Sequence, residues 1–345
     1  MPDMPTTPGL SFGRIRPPEP AWAAIQSLMP ALAPVPEGEF QAIPDRAQNL
    51  FRFRHPRKHT QRSLGCCVGK GGADAAEIDQ RIVRPVANDV YSPVDPSARF
   101  SALWAYYIAR RYSASQGRPI GGQGAILSDL LFAVQKWGLI EYDYWPSTPT
   151  NLDRYRDVPV AGAEAAPKWF PAESGSLRSV DEILYTVGVR QIPVIVGSEW
   201  RGGTRTASGG GFTWDEPSPG GHAYTIVGYD KTKKPGRVYI DCGWDDASWG
   251  VQPRDGATEN GVLLPRGYGW TYLDAWARDF EPNDFASGAV EAIYMVGFST
   301  KDKPAPQPDE PKPEPPAPSP GGVNVRIDTV VQINGAYHRL RIEPL

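Results

Sequence analysis

The chain has 345 residues, of which 40% are hydrophobic and eleven are tryptophan, enough apolar material for one large domain or two ordinary ones. Its formal net charge of -3 shows no basic excess, which argues against nucleic acid or an anionic membrane as a partner. Only three cysteines occur and two of them are adjacent, so a disulfide framework of the small secreted kind is excluded.

The sequence also sets expectations for location and cofactors. No basic-then-apolar leader follows Met1, and no apolar run approaches the ~18 residues of a membrane span. A cytoplasmic protein is the default expectation, and a virion-associated protein is the alternative. His55 and His59 are four residues apart, but Pro56 favours extended chain between them and no nearby carboxylate completes a metal site. We expect no metal and no other cofactor.

Residues 1–50 are predicted to form an N-terminal arm. Residues 1–20 contain six prolines and few apolar side chains, which favours irregular chain, and Trp22 to Met29 are predicted to form one short helix. From Gln48 to Thr60, phenylalanines alternate with arginines, a pattern typical of an extended strand.

A tight glycine corner at Gly65 places two cysteines at the start of a predicted helix. The run from Val68 to Ile78 begins glycine-rich, and glycines on its first turn would let a substrate backbone or a neighbouring element come close. A thiol is a poor nucleophile until it becomes a thiolate, and a helix N-terminus together with a histidine lowers its pKa by several units. Cys67 is therefore the candidate nucleophile, and the rest of the chain must supply the histidine.

Helices dominate the first part of the remaining chain, and strands dominate the second. Helices are predicted over Ser101–Tyr112, Ala125–Trp137 and Val180–Val187, and strands over Ile192–Gly197, Gly220–Tyr229, Arg237–Asp241, Gly267–Leu273 and Val290–Phe298. Residues 144–178 are rich in Pro, Ser and Ala and are predicted to be a long surface loop. This order predicts an α+β domain in which a helical half faces a β half.

The end of the chain is predicted to be a spacer with a small β segment. Residues 301–322 are packed with prolines and charges and are predicted to be an extended linker. In residues 323–345, strands are predicted over Val323–Ile327, Val330–Ile333 and Tyr337–Ile342, with a hairpin turn at Asn334-Gly335. About twenty residues bury little core, so we expect this tail to pair with a partner chain or to dock elsewhere.

Two motifs supply the pair of groups that a thiol hydrolase needs. Cys67 and His222 are 155 positions apart, close to the spacing of papain-type enzymes. The run Gln61–Cys67 (QRSLGCC) resembles the papain-like cysteine peptidase motif, which has a glutamine six residues before the nucleophile. Gly220–Ala223 (GGHA), followed by Val227–Tyr229 (VGY), resembles the histidine strand of that family. The divergent bacterial and phage branch is most similar.

The resemblance extends from about Phe51 to Phe298 and identifies residues 51–300 as the peptidase domain. It implies a two-lobed fold, with a helical N-terminal half and an antiparallel β C-terminal half, and an active-site cleft between them. In this family pattern Gln61 gives a side-chain N–H and Cys67 its backbone N–H to an oxyanion; loss of one such donor costs ~3 kcal/mol in barrier. His222 takes the thiol proton and later protonates the leaving amine.

The sequence departs from the family pattern beside the nucleophile. Leu64 stands where the family commonly has a disulfide-forming cysteine, and Cys66 stands where it often has serine. Counting from Gln61 and Gly65 still places the nucleophile at Cys67. Cys66 is then a buried neighbour or a competitor.

The third catalytic residue is the weakest part of the resemblance. The family's Asn-Ser-Trp-Gly should follow the strand after the histidine. Aligning Trp244 puts Cys242 in the place of asparagine, whereas a shift of one residue puts Asp241 there. We favour Asp241, because a carboxylate can orient an imidazolium and a thiol hardly can. The run Ala247–Gly250 (ASWG) is an alternative remnant of the motif.

These motifs predict a cysteine endopeptidase that acts on a peptide or protein. Gln123, Gly124 and Ala125 are expected to line the cleft and to pair with the substrate backbone. Two alternatives stay open. The same residues suit an amidase or acyltransferase on a peptidoglycan-type peptide. The missing asparagine and the β tail also suit a catalytically inactive scaffold or a phage structural component.

Overall fold

The computed structural model describes residues 13–30, 35, 37–48, 50, 61, 64–83, 99–118, 120–147, 159–160, 162–203, 206–216, 220–244, 249–250, 258–259, 262–263, 267–300, 328–333 and 336–341. The chain divides into two compact units, Met1–Pro304 and Ala305–Leu345. The predicted strand beyond Gln48, together with His55 and His59, lies outside the described residues.

The bounds of the elements follow the predicted order of helices and then strands. The helices are α1 (Glu19–Leu28), α2 (Glu37–Phe40), α3 (Cys67–Val83), α4 (Ala102–Ser115), α5 (Leu127–Trp137), α6 (Val180–Gly188), α7 (Leu273–Ala277) and α8 (Pro282–Ser287). The strands are β1 (Arg46–Ala47), β2 (Glu173–Leu177), β3 (Val194–Glu199), β4 (Gly221–Asp230), β5 (Arg237–Asp241), β6 (Thr258–Glu259), β7 (Val262–Leu263), β8 (Tyr268–Tyr272), β9 (Glu291–Val296), β10 (Asp328–Ile333) and β11 (Ala336–Arg341). Short 3-10 turns cover Tyr142–Tyr144 and Ser208–Gly210.

Within the described part of the larger unit, seven strands form one antiparallel sheet. Its order is β2-β9-β3-β4-β5-β8, and the short β1 pairs with the far end of β4. The central strands β3 and β4 are buried on both faces, as expected of near-continuous apolar runs covered by other elements. The register places Ser198 opposite His222 and Thr225 opposite Asp241.

Helix α3 runs through the middle of this unit and packs against α4, α5 and strands β3, β4 and β9. Its glycines are explained by these neighbours. A Cβ at Gly69 would lie 2.4 Å from the carbonyl oxygen of Ala102, and one at Gly71 would lie 2.9 Å from Ile195 Cγ2. Such distances are too short for any side chain, so these glycines allow close approach of neighbouring elements at a cost in helix propensity.

Two groups of buried side chains form the core of the larger unit. The first group lies among helices α3, α4 and α5 and includes Cys67 and Trp104. The second is formed largely by strands of the sheet and the segments that pack on them, and it includes Trp200 and Trp244. The predicted α+β architecture, with a helical half facing a β half, is confirmed.

The prediction of a surface loop over residues 144–178 is wrong at its end. Glu173–Leu177 forms the edge strand β2, which pairs antiparallel with β9 in register from Glu173–Val296 to Leu177–Ala292. Its sequence, ESGSL, has no β-branched or aromatic residue, so intrinsic strand preference does not reveal it. The strand forms because β9 offers it an unpaired edge.

In the second unit, β10 and β11 pair antiparallel, with Ile333 opposite Ala336, as the predicted hairpin requires. The turn residues Asn334 and Gly335 lie outside the described residues. No helix that the structure describes has both the length and the apolar character needed to cross a bilayer.

Candidate active site

The sulfur of Cys67 lies at the first residue of α3, fully buried between the two halves of the unit. The backbone N–H of Ala223, at the start of β4, donates to Cys67 Sγ at 3.3 Å. The residue before Ala223 is His222, so the contact brings the helix that carries the thiol to the strand that carries the histidine. The structure thus places the start of the helix that carries Cys67 against the strand that carries His222.

The thiol of Cys67 is neutral in this state. Burial raises the pKa of Cys67 to about 11, and the N–H groups of Ala223, Gly13 and Val68 offset only part of that rise. Burial, and then the neighbouring Cys67, raise the pKa of Cys66 further above its usual range. Of the two adjacent thiols, Cys67 is the one whose thiolate the local backbone favours.

The imidazole of His222 is held by a backbone carbonyl. Its Nε2 lies 3.0 Å from the carbonyl oxygen of Cys242. A carbonyl only accepts hydrogen bonds, so Nε2 carries the proton and the lone pair is on Nδ1, the nitrogen that can take a proton. The ring stacks on Trp244 at 4.7 Å between centroids and meets the edge of Trp200 at 5.3 Å. These indoles fix the ring plane and exclude water.

This apolar enclosure keeps His222 neutral. Burial lowers its pKa to about 3; the Cys242 carbonyl works against that shift, and the charge of Lys70 adds to it. With both the thiol and the imidazole neutral, the site holds no thiolate–imidazolium ion pair in this state.

The pKa of His222 gives a pH-dependent stability. Between about pH 6 and pH 4 the unfolded chain protonates this histidine and the folded chain does not, so the free energy of unfolding should fall as pH falls, by about 1.4 kcal/mol per pH unit for one proton. The free energy of unfolding, measured in urea at each pH over this range, should depend less steeply on pH for His222→Gln than for the native chain. Burial raises the pKa of Asp79 and of Asp129, which acts in the opposite direction in both proteins and cancels in the comparison. Equal slopes would contradict the burial of a neutral His222.

Asp241 makes contacts other than the one expected of it. We expected its carboxylate to orient His222, but its Oδ1 lies 2.6 Å from Lys70 Nζ and accepts the N–H of Gly243 at 3.1 Å. The position at His222 Nε2 is taken by the Cys242 carbonyl. A backbone carbonyl thus lies at this ring nitrogen, and the identity of the third catalytic residue stays a prediction.

Lys70 links the central helix to this loop. Although burial alone lowers its pKa, the carboxylates of Asp241 and Asp74 more than offset that and raise it. Lys70 also pairs with Asp74 one turn along the same helix. All three side chains are buried or nearly so, so the cluster is an internal ion network under the site.

Removing the cation of this network should destabilise the fold. Lys70→Met leaves two carboxylates in the interior and should lower the free energy of unfolding by about 3–5 kcal/mol. Guanidinium unfolding followed by tryptophan fluorescence measures this. The double variant Lys70→Met/Asp241→Asn should recover part of the loss. A loss below about 1 kcal/mol for Lys70→Met would show that the network contributes little.

Gln61 and Gln123 both approach the cysteine corner. Gln61 is buried, and its backbone N–H donates to the carbonyl of Gly243 at 3.1 Å. Gln123 is exposed, and its Oε1 accepts the N–H of Gly65 at 2.7 Å. These bonds tie the corner to the loops on either side. The role of Gln61 as an oxyanion donor stays a prediction.

Comparison with known proteins identifies the architecture. No family model matches the sequence, and no curated protein matches it. The structure is similar to that of xylellain, a cysteine protease from Xylella fastidiosa, with a TM-score of 0.54, 17% identity, and coverage of 83% of this chain and 95% of that one. The chain has the papain-like fold.

Two further papain-like neighbours have lower scores. Procathepsin L 3 of Tenebrio molitor matches with a TM-score of 0.49 and 12% identity over 79% of this chain and 75% of that one. The bromelain protease of Ananas comosus matches with a TM-score of 0.46 and 12% identity over 73% of this chain and 99% of that one.

The cleft of this papain-like fold is occupied by the chain's own arm. Residues 13–15 run alongside Ala125 as a parallel β-bridge, in which Ala125 donates to the Gly13 carbonyl at 2.8 Å and Ile15 donates to the Ala125 carbonyl at 2.8 Å. The N–H of Arg14 donates to the carbonyl of Gly221 at 3.0 Å. An extended segment thus pairs with Ala125, the kind of contact predicted for substrate, although the segment belongs to this chain.

Gly13 is the point at which the arm meets the nucleophile. Its N–H is one of the backbone groups that lower the pKa of Cys67, and a Cβ on Gly13 would lie 1.9 Å from the carbonyl oxygen of Gly65. Only glycine fits this gap. The arm therefore shields Cys67 from solvent in this state.

Sequence reasoning missed the functional contacts of the arm and of Lys70. Gly13 and Arg14 lie in a stretch rich in proline with no periodicity, which carries no signal for a strand in a cleft. Lys70 stands one turn after Cys67 on the predicted helix, and only the paired position of Asp241 in space reveals its partner. In the described ranges, no cluster of three or more His, Cys, Asp or Glu suits a metal.

Proposed function

We propose that this protein is a cysteine peptidase that hydrolyses peptide bonds through an acyl-thioester on Cys67. The observation that carries the proposal is the contact of Cys67 Sγ, at the N-terminus of a 17-residue helix, with the backbone of the strand that bears His222. A helix N-terminus favours a thiolate, and the imidazole of His222, with its lone pair on Nδ1, is the proposed acceptor of the thiol proton.

The chemistry follows from these two groups. His222 takes the proton of Cys67, and the sulfur attacks the carbonyl carbon to form a tetrahedral intermediate. Collapse breaks the C–N bond while His222 protonates the leaving amine, which leaves an acyl-thioester. Water, deprotonated by His222, then attacks the thioester and releases the acid and the thiol. Gln61 and the backbone N–H of Cys67 are the proposed donors to the oxyanion.

The orientation of His222 is assigned to the backbone in this proposal. The Cys242 carbonyl holds Nε2–H, a bond that also stabilises an imidazolium when one forms. Asp241 acts on the loop: its bonds to Lys70 and to the N–H of Gly243 fix the chain on either side of Cys242. A carbonyl in this place needs no side chain, which accounts for the missing asparagine.

The occupied cleft corresponds to a latent state. The pKa of about 11 for Cys67 and of about 3 for His222 both have burial as their largest cause. When the arm leaves, water enters; the pKa of Cys67 then falls, that of His222 rises, and the thiolate-imidazolium pair becomes accessible. Peptide or protein substrates would take the place of the arm beside Ala125.

Trapping of the acyl-thioester tests this proposal. The full-length Gly13→Ala chain, in which the arm cannot seat, is mixed with a p-nitrophenyl ester of a blocked amino acid, and the intact mass is measured after acid quench. We expect one acyl group per chain, mapped to Cys67 and absent in Gly13→Ala/Cys67→Ala. No adduct would favour the inactive scaffold. An adduct combined with cleavage of peptidoglycan peptides, but of no protein or peptide library, would favour the amidase.

The remaining expectations stay proposals. Membership of a bacterial or phage branch is proposed from the sequence motifs. A cytoplasmic location, with a virion-associated one as the alternative, stays the default expectation. A protein partner for the C-terminal hairpin is proposed from the small core that such a segment can bury.

A further inference from the structure

Arg14 of the arm is buried in a pocket beside the cleft. Its Nε and Nη2 donate to Glu291 Oε2 at 3.1 and 2.9 Å, and Nη2 also donates to the carbonyl of Gly288 at 2.7 Å. The side chain of Arg14 is 2% exposed and that of Glu291 is 0% exposed. This guanidinium thus sits in the interior and is paired there with a buried carboxylate.

The residues that line the pocket belong to the α+β domain that follows the arm, and not to the arm itself. Glu291 opens β9, and its second oxygen, Oε1, accepts the N–H of Ser128 in the first turn of α5 at 2.9 Å. Gly197 on β3 provides the room: a Cβ there would lie 3.2 Å from Arg14 Nε and 3.2 Å from Leu127 Cδ2. The carboxylate is therefore held in place by groups that remain when the arm leaves.

The backbone around Arg14 binds as an extended peptide. The N–H of Arg14 donates to Gly221, the residue before His222, and its two neighbours pair with Ala125. Gly13 lies against the backbone of Gly65, two residues before Cys67. A substrate strand that uses the same backbone groups of Gly221 and Ala125 would direct one of its side chains into this pocket, close to the reacting sulfur.

Departure of the arm leaves Glu291 buried without the cation it now holds. A buried carboxylate is then stabilised only by another cation in good geometry. Here the Glu291 carboxylate accepts from two nitrogens and the Gly288 carbonyl accepts a third bond, an arrangement that suits guanidinium better than ammonium. We propose that Glu291 makes this pocket selective for an arginine side chain of the peptide substrate near the scissile bond. The inference rests on the proposed peptidase function, in which Arg14 occupies the substrate's place.

Protection of Cys67 from alkylation tests the pocket without requiring turnover. The full-length Arg14→Ala chain is treated with iodoacetamide in the presence of acetyl-Gly-Arg-Ile-amide or acetyl-Gly-Leu-Ile-amide, and labelling of Cys67 is mapped by mass spectrometry. We expect the arginine peptide to protect at a concentration at least about tenfold lower than the leucine peptide. In Arg14→Ala/Glu291→Gln this difference should vanish. Equal protection by both peptides, or a difference that survives Glu291→Gln, would overturn the proposal.

Two further variants keep the test decisive. Arg16→Ala, two residues along the same arm, removes an exposed guanidinium that donates to the carbonyl of Ser287 at 3.3 Å, and should leave Cys67 as shielded as in the native chain. If Arg14→Ala does not fold, Gly13→Ala serves instead, because it displaces the arm but leaves Arg14 and Glu291 in the chain. Lysine in place of the peptide's arginine should protect less well.

The outcomes separate this inference from the proposed function. Selective protection by the arginine peptide, with no acyl-thioester formed and no peptide cleaved, would retain the pocket and reject the peptidase. Cleavage of peptides with no preference for arginine in a library would retain the peptidase and reject the role of Glu291.

Discussion

Replacing Cys67 by alanine should abolish peptide hydrolysis, with a loss on the order of 10⁴-fold or more, because no other group described in the cleft can form the acyl intermediate. The measurement is cleavage of a fluorogenic peptide library by the full-length Gly13→Ala chain with and without Cys67→Ala. The side chain is small and fully buried, so the change to alanine should keep the fold. Circular dichroism and the urea midpoint should confirm this.

The two other cysteines provide matched controls. Cys66→Ala removes the adjacent thiol, whose pKa burial raises above its usual range, and should keep most of the activity. Cys242→Ala removes a buried thiol but keeps the backbone carbonyl that holds His222, and should also stay active. An inactive Cys66→Ala beside an active Cys67→Ala would move the nucleophile by one residue. Loss of activity in Cys242→Ala would give its thiol a role that the carbonyl does not cover.

Displacement of the arm should expose the thiol of Cys67 to solvent and to alkylating reagents. This is the second of the two largest effects that we expect. In Gly13→Ala the new Cβ would lie 1.9 Å from the Gly65 carbonyl oxygen, so the arm cannot keep its place in the cleft. Backbone overlap of this kind costs a few kcal/mol, and alkylation of Cys67 by iodoacetamide should become about 10- to 100-fold faster. The apparent pKa of Cys67, taken from the pH dependence of its alkylation rate, should also fall below about 11, the pKa of the buried thiol.

A second glycine tests whether the effect belongs to the contact. Gly38 lies on α2, and a Cβ there would meet nothing within 4 Å, so Gly38→Ala should leave the alkylation rate of Cys67 unchanged. Equal acceleration in both variants would assign the effect to general loosening of the chain. No acceleration in Gly13→Ala would show that the arm does not control access to Cys67.

The candidate pair, Cys67 and His222, can be proposed from sequence because each member lies in a local pattern. Cys67 follows a glycine corner and opens a helix, and His222 follows two glycines and opens a strand. Those signals involve neighbours along the chain. The helical and β halves were predictable for the same reason, since apolar periodicity is also local.

The group that holds the His222 ring could not be identified from the sequence alone, because its contacts depend on the fold. Asp241 and Cys242 are adjacent, so their side chains point to opposite faces of the extended chain, and sequence alone does not say which face meets His222. Chemistry favoured the carboxylate, but Lys70, which comes from a helix 171 positions away, pairs with it. His222 instead donates a hydrogen bond to a backbone carbonyl. Every residue carries a carbonyl, so this partner leaves no trace in a sequence motif.

The arm and strand β2 were missed because each gains its structure from a partner. Gly13, Arg14 and Ile15 have no strand pattern; they are extended because Ala125 and Gly221 offer backbone partners and Glu291 offers a buried charge. Likewise ESGSL becomes β2 on the edge of β9. Pairing across more than a hundred residues cannot be read from local preference.

The most direct test of the central claim, that His222 activates Cys67, is the pH dependence of Cys67 alkylation in the full-length Gly13→Ala chain. Peptide mapping follows Cys67 and Cys242 together, and the same titration is run on Gly13→Ala/His222→Ala. We predict that Cys67 reacts at mildly acidic pH, well below the usual thiol pKa of about 8.5, and that this reactivity is lost with His222. A Cys67 that reacts no faster than Cys242, or that is unaffected by His222→Ala, would contradict the claim.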